Sequence, residues 1–265
     1  MHFPVYLHIG FLRIHPHLFF ELLAYSAAFQ VYLVLRRKSG DVIDDFGRWW
    51  LTAAAAVGAL FGSRLLGALE NPASVVGNLR NPALLFSGQT IVGALIGGLL
   101  AVEWTKTRLH ITRRTGDLFA IPLCVGIVVG RVGCFLTGVA DRTGGNPTAL
   151  PWGLDSGDGI SRQPVQLYEI AFVLCLAIFL YRVSWRGYQE GDLFKLFMVA
   201  YFTFRLFVDY LKPEMRIFAG LSSIQWACVC MLLYYSRDIF RWMKSGLSLT
   251  ALRTPSGLEN GLYDN

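Results

Sequence analysis

Long runs of mostly apolar residues constrain the fold of this chain more than any other feature of its sequence. A helix that crosses a bilayer needs about 20 such residues. Seven segments qualify: His17–Leu35, Trp49–Leu69, Leu84–Trp104, Leu118–Gly138, Val165–Val183, Leu193–Leu211 and Leu221–Arg237. Only 16% of the 265 residues are charged, whereas a soluble domain carries about 25%. The sequence therefore predicts an all-α integral membrane protein with about seven transmembrane helices.

The basic residues around these segments predict how the chain is oriented. The first, third and fifth connections and the C-terminal region hold fourteen Lys and Arg residues, and the N-terminus and the even connections hold six. Because basic residues favour the cytoplasmic side, we expect the N-terminus outside and the C-terminus in the cytoplasm. We expect one transmembrane domain over residues 1–248 and a flexible cytoplasmic tail over residues 249–265. Met1–His17 lacks the basic start and apolar run of a signal peptide.

The fourth segment carries an arginine, Arg131, between Gly130 and Gly133. An ionisable residue at the centre of a spanning helix costs about 2.5 kcal/mol or more, so it usually marks a functional site. The glycines allow another helix or a ligand to approach the backbone closely. An arginine that only ties two helices together would explain Arg131 alone equally well.

Other membrane-level polar residues share the predicted depth of Arg131. They lie near the outer ends of their segments: Glu21, Arg64, Gln89, Gln166, Glu169, Arg205, Asp209 and Gln225. Separate salt bridges are the alternative, since Arg205 and Asp209 are four residues apart on one helix. The shared depth favours an outward-facing polar cavity. Because guanidinium groups bind phosphate well, we expect an anionic phospholipid of the outer leaflet as its ligand.

Several motifs of the chain resemble those of bacterial prolipoprotein diacylglyceryl transferases. Gly130–Gly138 (GRVGCFLTG) resembles the family signature GRxGNFxNGE. Four more segments follow the family's order: Phe86–Gly97 (FSGQTIVGALIG), Leu150–Gly153 (LPWG), Arg162–Glu169 (RQPVQLYE) and Phe204–Pro213 (FRLFVDYLKP). The family also has seven helices and an external N-terminus, which agrees with the predicted topology.

The resemblance implies transfer of the diacylglyceryl group of phosphatidylglycerol to the lipobox cysteine of a preprolipoprotein, with release of glycerol phosphate. The implied location is the bacterial cytoplasmic (inner) membrane, and the implied partners are phosphatidylglycerol, the preprolipoprotein and the surrounding bilayer. Arg131 and Arg205 would hold the lipid phosphate and stabilise the departing anion, with Glu169 as a third catalytic residue. The expected substrate-binding residues are Glu21, Arg64, Gly130, Gly133, Arg162, Gln166, Tyr168 and Asp209.

The chain departs from the family at several polar positions. The family's histidine falls at Val92, its asparagine at Cys134 and a glutamate at Val139. The proton acceptor is therefore open: Glu169 is the first candidate, and Glu21, His15 and His17 are alternatives. Cys134 as a nucleophile is a weaker hypothesis than Cys134 as a packing residue.

The remaining sequence features narrow the class of protein. The five cysteines show no CxxC pair and no Cys/His metal spacing. We expect no metal and no organic cofactor, since the phospholipid would supply its own leaving group. No clustered basic face suggests nucleic acid. The glycine- and proline-rich connection Val139–Pro164 is expected to cover the site from outside.

A lipid-binding protein that keeps the arginine cavity without the chemistry is the alternative function. A transporter is disfavoured because the embedded charge stays in the outer half.

Overall fold

A computed structural model describes residues 3–9, 12–70, 88–141, 143–213 and 215–244 of the chain. The predicted tail at 249–265 lies outside the described residues. The first residues of the third predicted segment, Leu84–Trp104, also lie outside the described residues.

The described residues are mostly helical. Their α-helices are α1 (Pro16–Ser39), α2 (Asp45–Glu70), α3 (Ile91–Arg108), α4 (Asp117–Thr137), α5 (Val165–Arg186), α6 (Asp192–Val208), α7 (Ser223–Tyr234) and α8 (Ser236–Lys244). Short 3-10 turns follow α4 at Gly138–Asp141 and α6 at Asp209–Leu211. Helices α1 to α7 occupy the seven predicted segments, and α8 is an additional short helix.

Among the described residues, four helices are long and apolar enough to cross a membrane, namely α1, α2, α4 with its 3-10 turn, and α5. The other predicted spans are shorter or more polar. Helix α3 has 18 residues and carries Glu103, Lys106 and Arg108 towards its end. Helix α6 has 17 residues and α7 has 12. Helix α7 begins two residues later than predicted because Ser222 and Gln225 form a capping box that fixes its N-terminus.

Short antiparallel strands lie outside the helices and qualify the all-α prediction. Strand β1 (Leu7–Ile9) pairs with β2 (Leu12–Ile14), with Leu7 opposite Ile14. Within the long connection, β3 (Leu154–Asp155) pairs with β4 (Ser161–Arg162), with Leu154 opposite Arg162. These two-stranded pairs are small beside the helical bundle.

Helix α6 forms the centre of the bundle. Phe197, Met198, Tyr201 and Phe202 of this helix are fully buried against apolar residues of α3, α4, α5 and α7. Large apolar side chains on the outer helices face away from the protein, as Phe61 and Leu65 of α2 do at 63% and 67% exposure. A soluble protein rarely exposes such a contiguous apolar surface, whereas a helix in contact with lipid requires it.

Glycines bring α2 and α3 into backbone contact. A β-carbon on Gly62 would lie 2.3 Å from the carbonyl oxygen of Gly93, and one on Gly97 would lie 2.2 Å from the carbonyl oxygen of Gly58. Each helix therefore contributes a pair of glycines four residues apart. This is the small-residue pattern that lets membrane helices pack at short distance.

Helices α1 and α4 also pack closely, and their contact positions the candidate site. A β-carbon on Gly133 of α4 would lie 2.5 Å from the β-carbon of Phe20 of α1. At the other end of the pair, Tyr32 stacks on Phe119 with ring centroids 5.0 Å apart. The start of α1 therefore lies beside the end of α4, where Arg131 is found.

Candidate functional site

The candidate site forms where the end of α4, the start of α5 and the end of α6 meet. Arg131 Nε lies 2.8 Å from Glu169 Oε2, and Arg205 Nη1 lies 3.5 Å from the same oxygen. All three side chains are buried. We call Arg131, Glu169 and Arg205 the arginine cluster. The structure thus brings together the three residues predicted to be catalytic, from three different helices.

Neighbouring hydroxyl groups hold the carboxylates of this region in place. Tyr201 Oη donates a hydrogen bond to Glu169 Oε1 at 2.6 Å. Asp209 accepts a hydrogen bond from Arg205 Nη2 at 3.4 Å and another from the hydroxyl group of Ser222. Arg205 and Asp209 therefore pair along one helix, as their spacing allowed, while Arg205 also reaches Glu169. The two interactions coexist and do not exclude each other.

The guanidinium groups keep donors that the described residues do not satisfy. The buried Nε of Arg205 has no hydrogen-bond acceptor among them, and neither does Nε of Arg131. The Arg131 nitrogen is close enough to Glu169 Oε2 for an ion pair but lies off the direction of a hydrogen bond. Buried N–H donors almost always have acceptors in folded proteins. The arginine cluster is therefore suited to an incoming ligand that supplies oxygen acceptors.

Two predicted substrate-binding residues of α5 contact the long connection that precedes it. Gln166 Nε2 donates to Thr143 Oγ1 at 3.1 Å. Tyr168 Oη accepts from Trp152 Nε1 at 2.7 Å and donates to Gln163 Oε1 at 3.1 Å. These bonds tie the connection to the start of α5, next to Glu169.

Three other predicted residues contact partners outside the arginine cluster. Arg162 forms an ion pair with Asp158 of the same connection, with 2.6 Å between Nη2 and Oδ2. With the carboxamide oxygen of Gln89 turned towards Arg64, that oxygen lies 2.7 Å from Arg64 Nη2. Glu21 accepts a hydrogen bond from Tyr25 Oη at 3.4 Å.

The two glycines beside Arg131 differ in their surroundings. A β-carbon on Gly130 would meet nothing within 4 Å, whereas the space beside Gly133 is filled by Phe20. Gly133 therefore serves the packing of α1 on α4. The substrate contacts predicted for both glycines stay predictions.

The positions at which the chain departs from the family motifs have two different environments. Val92, at the histidine position, is fully buried in the apolar core. Cys134, at the asparagine position, is only partly buried, and its Sγ lies 3.9 Å from Arg131 Nη1. Of the candidate proton acceptors at the N-terminus, His15 caps α1 by accepting from the backbone N–H of His17 at 3.3 Å.

Sequence reasoning missed several residues around the site. Tyr201 and Ser222 were each read as one residue among many in a predicted apolar segment. Tyr201 precedes Arg205 by one helical turn, and that spacing was the available signal for its place on the same helix face.

Comparisons with known proteins agree with these motifs. Residues 4–237 match the family model for prolipoprotein diacylglyceryl transferase. The phosphatidylglycerol–prolipoprotein diacylglyceryl transferase of Bordetella bronchiseptica is 30% identical over 271 residues, covering 96% of this chain and 97% of the relative. The enzyme of the same name from Methylococcus capsulatus is 34% identical over 195 residues, covering 68% of this chain and 72% of the relative. The one from Zymomonas mobilis is 27% identical over 240 residues, covering 83% and 79%.

The family match covers most of the chain, including the arginine cluster and the helices that build it. This chain belongs to the prolipoprotein diacylglyceryl transferase family.

Proposed function

We propose that this chain transfers the diacylglyceryl group of phosphatidylglycerol to the lipobox cysteine thiol of a preprolipoprotein and releases glycerol phosphate. One observation carries the proposal. Two buried guanidinium groups, Arg131 and Arg205, share one carboxylate oxygen and retain N–H donors without hydrogen-bond acceptors in the described part of the chain. A phosphodiester supplies the oxygen acceptors and the negative charge that such donors need.

In this proposal the arginines act on the leaving group. The bond between the glycerol carbon and the phosphate oxygen breaks, and its electron pair leaves with glycerol phosphate. Arg131 and Arg205 stabilise the charge that develops on that oxygen, and they act strongly because the site is shielded from water. Glu169 balances their charge and aligns both groups. Both oxygens of Glu169 are already engaged, Oε2 by the two arginines and Oε1 by Tyr201, which weakens the prediction that Glu169 accepts the proton.

The proposal includes the predicted topology, with seven spans, an external N-terminus and a location in the bacterial cytoplasmic membrane. Helix α6 and its 3-10 turn form one helical run from Asp192 to Leu211, 17 and 3 residues long, which is about 30 Å at 1.5 Å per residue. The arginine cluster then lies in the outer half, at the depth of the lipid headgroups. The connection 139–164 covers it, tied down through Tyr168 and Gln166.

One experiment tests the transfer activity. Cells depleted of their own transferase would express this chain, and a lipoprotein precursor would be assayed for thioether-linked diacylglycerol. We expect modified precursor with the wild type and with Arg216→Ala, which removes an exposed outer arginine. We expect none with Arg205→Ala. Correct membrane insertion without any modified precursor would contradict the transferase proposal.

The non-catalytic alternative draws its support from Val92, because an apolar residue stands where the family has a histidine. A lipid-binding protein of this kind would copurify with phosphatidylglycerol through Arg131 and Arg205. It would give no modified precursor in the same cells. Bound lipid detected by mass spectrometry, together with the absence of modified precursor, would therefore favour this alternative over the transferase.

A further inference from the structure

Three potential metal ligands meet beside the arginine cluster. His17 comes from the first turn of α1, Cys134 from the last turn of α4, and Asp141 from the 3-10 turn that follows α4. One ligand atom from each lies within 4.8 Å of the other two. We call these residues the Cys-His-Asp cluster. Gly133 makes it possible, since only a glycine there lets the start of α1 approach α4 so closely.

The three groups are arranged as a triangle. In a nucleophilic Cys-His-Asp relay the imidazole ring lies between the thiol and the carboxylate, which are then far apart. Here one ligand atom of each residue lies within 4.8 Å of the other two, so the thiol and the carboxylate are close to each other as well as to the ring. Ligands of a tetrahedral ion with bonds of about 2.0–2.3 Å lie roughly 3.3–3.7 Å apart. A closure of about 1 Å would therefore bring all three around one ion.

The surroundings orient these ligands. Thr143 Oγ1 donates to Asp141 Oδ2 at 2.5 Å, and Gln166 Nε2 donates to Thr143 in turn. That leaves Oδ1 directed towards His17, 2.9 Å from its Nδ1. The Nδ1 atom is buried and makes no hydrogen bond among the described residues, despite this short distance. On the other side of the ring, Glu21 Oε2 lies 3.8 Å from Nε2, which is beyond hydrogen-bond distance.

The ligand set indicates the kind of ion. One thiolate, one imidazole and one carboxylate suit zinc and similar divalent transition metals, and do not suit magnesium or calcium. Structural zinc sites have four protein ligands, whereas catalytic sites have three and leave one position open. The Cys-His-Asp cluster supplies three.

We propose that the Cys-His-Asp cluster binds a zinc-class ion whose open position takes the thiol of the acceptor cysteine. The binding site stands by itself, and its role for the acceptor rests on the proposed transferase function. A thiol that coordinates such an ion loses its proton. The ion would thereby provide the activation that a histidine at position 92 would otherwise give.

The step balances in atoms and charge. The acceptor thiol releases its proton to water as its sulfur binds the ion. The sulfur then forms a bond to the glycerol carbon while the carbon–oxygen bond to phosphate breaks, and the electron pair leaves with glycerol phosphate. Because Cys134 Sγ lies 3.9 Å from Arg131 Nη1, the activated thiolate and the phosphate-binding groups would be neighbours.

Cobalt(II) titration tests the site without any assay of activity. The purified full chain in detergent would be stripped of metal and titrated with Co²⁺, and the thiolate-to-cobalt charge-transfer band would be followed in the near ultraviolet. We expect one equivalent bound and displaced by Zn²⁺. Cys134→Ser should abolish the band, and His17→Ala and Asp141→Asn should weaken binding at least about tenfold. Cys175→Ser and His110→Ala should bind as the wild type does.

Two results would overturn the metal site. One is a wild-type chain that shows no thiolate-to-cobalt band, and the other is a band that survives in Cys134→Ser. The conservative serine keeps the size of the side chain, and the thermal unfolding midpoint would show that the variant is folded.

A lipobox peptide tests the role of the open position. Adding the peptide to the cobalt-loaded chain should strengthen the charge-transfer band, because a second thiolate binds, and a peptide with serine in place of its cysteine should not. An unchanged band would overturn the acceptor role. Arg205→Ala should bind cobalt normally and yet fail to transfer lipid. A wild type with an intact, peptide-responsive band but no transfer would contradict the proposed function and leave the metal site standing.

Discussion

Two buried arginine–carboxylate groups lie at opposite ends of α4, and they differ in one respect. At one end, Arg48 donates through Nε to Asp41 Oδ2 at 2.8 Å and through Nη1 to the carbonyl oxygen of Thr115 at 3.0 Å. Its Nη2 also binds Asp41. At the other end, the arginine cluster leaves buried Nε donors of Arg131 and Arg205 without acceptors in the described chain.

We infer that this difference separates a structural arginine from the proposed ligand-binding ones. Burial and a nearby carboxylate are common to both groups, so neither property identifies a site. Two neighbouring buried arginines that keep unsatisfied donors favour one, because a buried donor without an acceptor costs stability that a ligand can restore. We therefore expect substitutions at the Arg48 end to affect folding, and substitutions in the arginine cluster to affect lipid transfer.

The largest effect should come from Arg131→Ala and Arg205→Ala. Removing one donor from a group that stabilises developing charge costs about 10²–10³-fold in rate. We expect at least this loss in the rate of lipid transfer, measured on purified protein with a lipobox peptide. For Arg131→Ala the thermal unfolding midpoint should change little, since Glu169 keeps Arg205 and Tyr201. For Arg205→Ala the midpoint should fall further, because the buried Asp209 loses its arginine partner. If either variant folds and transfers lipid at the wild-type rate, the arginine cluster would not differ in function from the Arg48 end of α4.

The second effect concerns Arg48→Ala, which leaves Asp41 without its main partner. Breaking a buried pair by removing one member typically costs about 3–5 kcal/mol. The unfolding midpoint should therefore fall markedly, while the protein that remains folded transfers lipid at the normal rate per molecule. Arg113→Ala is the matched control, because Arg113 pairs with Glu190 on the exposed surface and should leave the midpoint unchanged. Loss of transfer in folded Arg48→Ala protein would show that the two ends are coupled.

A smaller effect is expected for Tyr201→Phe, which removes the 2.6 Å hydrogen bond to Glu169. A hydrogen bond to a charged group contributes about 1.5–3 kcal/mol, so transfer should fall roughly tenfold or more as Glu169 loses its alignment. Tyr32→Phe is the control, because the buried hydroxyl group of Tyr32 has no hydrogen-bond partner among the described residues. Equal behaviour of the two variants would exclude an aligning role for Tyr201.

The smallest effect is the pH dependence of the Arg48 end. Burial alone would raise the pKa of Asp41, but the hydrogen bonds and charges of Arg48 and Arg36 outweigh it and lower this pKa below its usual value of 3.8. The carboxylate therefore adds stability above pH 3.8, and this contribution is lost as the pH falls through the lowered pKa. The unfolding midpoints of wild type and Asp41→Asn should converge as the pH falls below about 3.8. Midpoints that stay equally far apart from pH 6 to pH 3 would contradict this account.

The sequence predicts the relative level of the side chains of the arginine cluster well because that level depends only on position along a helix. The rise of 1.5 Å per residue placed Arg131, Glu169 and Arg205 near one level, and the structure joins them. Which faces turn towards each other depends on packing, which one sequence does not reveal. Arg64 contacts Gln89, which shares its predicted depth, and Arg162 contacts Asp158. The substrate contacts predicted for both arginines stay predictions.

Residues in connections were the least predictable. Asp141 and Thr143 follow no helical period, so nothing in the sequence linked them to His17, more than 120 positions earlier. Cys134 was read as a packing residue because a search for metal sites looks for ligands close together in sequence. The cluster forms through the contact of α1 with α4, which depends on Gly133 and Phe20.

The glycine contact between α2 and α3 has a consequence for how such chains can diverge. A methyl group at Gly62 or Gly97 would overlap a carbonyl oxygen of the opposite helix, and Gly58 and Gly93 provide those oxygens. One substitution therefore forces α2 and α3 apart and lowers the stability of their contact. Once the helices are apart, a second substitution on the facing helix lowers that stability no further. The four positions are expected to change together or not at all in descendants of this chain.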